Sequence, residues 1–249
     1  MVSAFCLRLA CGLVLSLLIL RPSIIPPRFF RVQFLAALGL LAVAGYFLRD
    51  RASTLFWILL GASMLLAFAG SFVWHLDEAP GGHALILLTA PTLIACLVVA
   101  SLVLRSNHAP VWLLADDLAS ALVLGSATTA MLMGHSYLIS PAMSISPLMR
   151  LLALLGVAIL ARVALACVGL WLWTRSTHFT QLDTERGFWL AVRWLLGVLA
   201  PLGLGWMAWE SARIRSTQSA TGILYVVVIV CFLGELGSMQ LVQLTGYLL

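Results

Sequence analysis

The chain has 249 residues, 63% of them hydrophobic and 9% charged, with a mean hydropathy of +1.10. A soluble domain carries about a quarter of its residues as charges, so this composition excludes one and requires lipid as the solvent. The formal charge of +5 comes from fourteen arginines, with no lysine, against nine acids; no stretch is basic enough to follow a nucleic acid, and loop arginines are expected at headgroup level.

A window of about nineteen residues divides the chain into eight apolar segments, 3–20, 32–49, 53–74, 84–104, 111–139, 147–174, 187–209 and 219–248. The expected fold is all-α, a polytopic helical bundle forming a single integral membrane domain. Residues 1–20 have no small-residue cleavage site before Arg21 and read as a retained first helix. Eight crossings put both termini on one face, side A. Loop arginines then tie, with Arg49, Arg51, Arg105, Arg175 and Arg186 on side A and Arg21, Arg28, Arg31, Arg213 and Arg215 on side B. Adding Arg8 to side A and Arg150 to side B keeps the tie, so positive charge does not orient the chain.

The first side-B loop joins Pro22, Pro26 and Pro27 to Arg28, Phe29, Phe30 and Arg31, a composition that blocks helix and lies in the interface. Segment 3 ends in Trp74, His75, Leu76, Asp77 and Glu78, followed by a turn-rich loop that contains His83. Pro91 and Pro201 are expected to kink segments 4 and 7. The middle of segment 5, Gly125 to Ala130, is small and hydroxylic and predicts close approach to another helix. Segments 5 and 6 form an antiparallel pair, and the polar loop from Thr174 to Arg186 sets the last two segments apart. Cys6, Cys11, Cys96, Cys167 and Cys231 lie in apolar segments without a CxxC pair and read as packing residues.

A charge inside a membrane needs a partner or a function. Arg162 and Glu235 both lie roughly 22–24 Å from side B by helical rise, and Asp116, Asp117 and Arg193 lie roughly 7–9 Å from side A. These matching depths predict an Arg162–Glu235 pair and an Arg193 pair with either aspartate. Such groups fix helix register or serve proton movement and ligand binding. The reactive side chains cluster at side B instead, where His75 and His135 end helices near Asp77, Glu78 and His83. Ordinary interfacial histidines, a quinone headgroup site, a metal site and a haem site all remain open there. His108 and His178 fall in side-A loops, and the chain has no phosphate-binding loop, nucleophile elbow, HExxH or haem-attachment motif.

Three stretches are similar to a known family: Phe29-Phe30-Arg31 after an early Arg-Pro, Gly134-His135-Ser136-Tyr137-Leu138 closing a helix, and Ala220-Thr221-Gly222-Ile223-Leu224-Tyr225 opening one that runs through Gly234-Glu235-Leu236. Together with eight helices they resemble the membrane-anchor subunits of bacterial reductases of the polysulfide and dimethyl-sulfoxide reductase type. The resemblance implies a haem-free anchor in the bacterial cytoplasmic membrane. Such an anchor exchanges electrons between a membrane quinone and an iron–sulfur partner subunit. It also implies a quinone pocket near one face, built from His75, Asp77, His135 and Tyr137. A transporter that uses Asp116, Asp117, Arg162 and Glu235 as coupling groups, and a structural subunit of a membrane complex, are the alternatives.

Overall fold

A computed structural model of the chain describes residues 1–50, 53–76, 81–104, 110–140, 143–175 and 183–247, and among these it is helical without strands. The helices are α1 (Val2–Leu17), α2 (Pro27–Leu48), α3 (Thr54–Val73), α4 (Gly82–Leu104), α5 (Pro110–Ile139), α6 (Ser146–Arg175), α7 (Thr184–Arg213) and α8 (Thr217–Thr245). Seven of them are long and apolar enough to cross a membrane. Helix α1 has sixteen residues, about 24 Å of rise, and is shorter than the hydrocarbon core. Large apolar side chains such as Ile58, Leu65, Val157 and Trp206 face outward from mid-helix positions, which water would oppose and lipid accepts. The chain is a polytopic helical membrane protein.

The short first helix is the most enclosed. It packs against α5, α2 and α4, and Leu7, Ala10, Cys11, Val14 and Leu17 on it are buried. Its contact with α5 is backbone on backbone: a Cβ on Gly12 would sit 1.8 Å from the Ala121 carbonyl oxygen, and one on Gly125 2.0 Å from the Gly12 carbonyl carbon. Lipid drives no apolar association between helices, so such approach by small residues supplies the dispersion contact that holds them. The small stretch of segment 5 therefore meets α1. Helix α5 also packs on α6 and α8, while α3 lies between α2 and α4 on the other side.

Pro91 leaves α4 helical throughout, whereas Pro201 changes its helix. In α7 the Ala200 N–H reaches back to the Leu195 carbonyl, and residues Leu195–Leu199 form a π-turn directly before the proline. A proline ring presses on the carbonyl four residues earlier, here Gly197, and the wider turn relieves that pressure. The turn brings Gly197 onto Gly234 of α8, where a Cβ on Gly234 would lie 2.1 Å from the Gly197 Cα. Helix α7 thus lies along α8 through residues four apart: Trp189 beside Gly237, then Arg193, then Gly197 beside Gly234.

Candidate functional site

Two polar regions stand out, one buried on the side-A half and one open at side B. The buried region gathers Arg8 of α1, Asp116 and Asp117 of α5, Arg162 of α6, Arg193 of α7 and Glu235 of α8, none more than 2% exposed. Arg8 donates from Nε to Asp117 Oδ1 at 2.9 Å, from Nη2 to Asp116 Oδ2 at 2.6 Å and from Nη1 to Ser120 Oγ at 3.2 Å. Arg162 donates from Nη1 to Asp116, from Nε to Glu235 Oε1 at 3.0 Å and from Nη2 to Ser238 Oγ at 2.9 Å. Arg193 Nη1 donates to the same Glu235 Oε1 at 3.0 Å. Ser101 of α4 donates to Asp117, and Ser120 to Glu235 Oε2 at 2.5 Å.

Helical spacing explains how few residues build this. Asp116 and Ser120 are four apart on one face of α5, and Glu235 and Ser238 are three apart on one face of α8. The guanidinium forks of Arg8 and Arg162 therefore each meet a carboxylate and a hydroxyl at adjacent positions, a geometry that point-charge ammonium groups do not match. Three cations face three anions, and six helices are tied at one level.

The Arg162–Glu235 contact expected from matching depth is present. Arg193, however, pairs with Glu235, and the aspartates take Arg8 and Arg162. The two expected layers are one layer measured from opposite faces: in a core of about 30 Å, 22–24 Å from side B is about 6–8 Å from side A. Arg8, assigned with the side-A loop charges, is an interior residue. The signal for it was its place six residues into the first helix, the same rise as Asp116 from the start of α5.

The second region is a cleft of about 740 Å³ at side B, lined by Pro26, Pro27, Arg28, Phe29, Arg31, Val32 and Leu35 of the loop and α2, Trp74 and His75 after α3, and Ser136, Ile139, Ser140 and Met143 at the end of α5. Arg31 Nη1 lies 3.1 Å from His75 Nδ1. A guanidinium only donates, so His75 Nδ1 accepts and Nε2 carries the ring proton. Trp74 stacks on Phe30 at 4.3 Å and forms the floor from which His75 projects. Val32 and Leu35 are half exposed, so one wall of the cleft opens toward lipid.

Of the side-B candidates, His75 lines this cleft. His135 is exposed and outside the lining, although its neighbour Ser136 is part of it. Tyr137 points inward, 1% exposed, and donates its hydroxyl to the Ser144 carbonyl at 2.5 Å, closing the turn between α5 and α6. Asp77 lies outside the described residues. Arg28 and Arg31 line the cleft with no acid beside them among the described residues. No group of three or more His, Cys, Asp or Glu residues fit to hold a metal occurs among the described residues. No family model, curated protein or solved structure matches this chain.

Proposed function

We propose that the chain is the quinone-contacting membrane subunit of a redox complex in a bacterial cytoplasmic membrane, with the side-B cleft as the headgroup site and an iron–sulfur protein as the electron partner on that face. The observation that carries this reading is the Arg31–His75 contact at the mouth of a lipid-open cleft.

The residues present fit such a ligand. The cleft volume falls within the roughly 300–1,000 Å³ of small-molecule sites. Its polar end offers the His75 Nε2–H and the Arg28 and Arg31 guanidinium groups. Phe29, Ile139 and Met143 supply apolar wall, and Val32 and Leu35 lead toward the acyl chains. A quinone supplies two-electron, two-proton chemistry at its ring oxygens. Arg31 fixes the His75 tautomer, which would leave Nε2–H to donate to a ring oxygen of a bound quinone. Ser136 spends its own proton on the Leu132 carbonyl at 3.0 Å and presents oxygen lone pairs to the cleft. The buried charge network belongs to the scaffold in this reading. A coupling role for Asp116, Asp117 and Glu235 has less support, because arginine clamps all three.

The test is purification from native membranes in mild detergent. An iron–sulfur subunit is expected to copurify, and a short-chain quinone analogue to bind. His75→Ala and Arg31→Ala should each weaken the analogue about tenfold, the value of one good hydrogen bond, at unchanged yield. An active protein with neither redox partner nor analogue binding contradicts the proposal.

A further inference from the structure

The six-charge network is closed at every guanidinium but one. The Nε, Nη1 and Nη2 atoms of Arg8 and of Arg162 each meet an acceptor. Arg193 has only its Nη1 bond to Glu235, while its Nε and Nη2 have no partner among the described residues, although the residue is 0% exposed. Donors buried in a membrane interior do not stay unmet, because lipid offers no acceptor. Whatever completes them must bring an oxygen acceptor.

Charge and size select its class. With three guanidiniums against three carboxylates, the network is balanced. An added anion would leave a net negative charge in a low-dielectric interior beside Glu235, and a neutral acceptor leaves the balance intact. The surroundings are tight: a Cβ on Gly197 would fall 3.0 Å from Arg193 Nη1 and 3.1 Å from the Gly234 Cα, and one on Gly237 3.1 Å from Val192 Cγ1. Walls this close admit only something small, no larger than a water molecule. The π-turn that begins two residues after Arg193 is the kind of local widening that accompanies polar sites inside helices.

We propose that Arg193 Nε and Nη2 bind one internal water, which accepts both N–H groups and donates onward, so the network ends at α7 in a hydrated site. This inference is independent of the side-B cleft. It is tested in crystals of the full chain grown from a lipid phase, with bromide in place of chloride, at a resolution that shows ordered water. One water-sized density within about 3 Å of both nitrogens, without anomalous bromine signal, is expected. In Arg193→Met crystals that density should vanish. An anomalous bromine peak would make this an anion site and overturn the proposal. So would both nitrogens found against protein carbonyls, or the same density persisting in Arg193→Met; if that variant does not assemble, the wild-type map decides alone.

Discussion

The side-A network and the side-B cleft use similar residues to opposite ends. In the network, Arg8 and Arg162 each touch two carboxylates, and Ser101, Ser120 and Ser238 complete them. In the cleft, Arg28 and Arg31 meet no acid among the described residues, and Arg31 leans on the ring nitrogen of His75. The donors of Arg8 and Arg162 are taken up by the bundle itself. Those of Arg28 and Arg31, beside a histidine and an apolar wall, are the ones the proposed quinone site would use. The difference lies in depth: lipid makes an unpaired interior charge untenable, whereas headgroup level tolerates it.

That contrast breaks first at Arg8. Arg8→Met removes the hydrogen bonds to Asp117, Asp116 and Ser120 and should destabilise the bundle by about 3–5 kcal/mol, as removing one partner of a buried pair does. Loss of assembled protein in a detergent-resistance assay checks this, and wild-type yield would show that the aspartates need no cation. Next is the coupling of Arg162 and Glu235. The double variant Arg162→Gln with Glu235→Gln should be less damaged than the sum of the single variants by about 1–3 kcal/mol, measured as melting temperatures. Strict additivity would deny their mutual neutralisation. Gly125→Ala places a methyl against the α1 backbone and should cost about 1–3 kcal/mol by overpacking with no change in net charge; full stability would mean that α1 and α5 do not touch. Tyr137→Phe comes last, losing about 0.5–1.5 kcal/mol with its bond to Ser144 while quinone-analogue affinity stays level. A fall in that affinity would return Tyr137 to the site.

Composition alone made the membrane class legible, and apolar runs placed the helices within a few residues of their observed ends. Depth along a helix also carried real information, since Arg162 and Glu235 meet. It failed to unite the two layers because distances were measured from both faces, and α5, α6 and α8 are each about thirty residues long, far more than a 30 Å core requires. The azimuth of Arg193 was illegible for another reason: it depends on the π-turn that begins two residues further on, ahead of Pro201. At side B, His75 was visible as a helix-end histidine. Its partner Arg31 lies 44 positions earlier in a stretch expected as an interfacial loop and found as the first turns of α2, and only the meeting of α2 with α3 brings them together. Nothing in the segment of Tyr137 foretells the acceptor that its hydroxyl finds on the turn after it.

The central claim, that ligand chemistry belongs to the side-B cleft and scaffolding to the side-A network, is tested most directly by photolabelling the membrane-embedded protein with an azido-quinone and mapping the label by mass spectrometry. Labelling that excess quinone suppresses is expected on the peptides carrying Phe29 to Leu35, Trp74 and His75, and Ser136 to Met143. Suppressible labelling around Arg193 and Glu235, or labelling spread evenly over the lipid-facing helices, would contradict it.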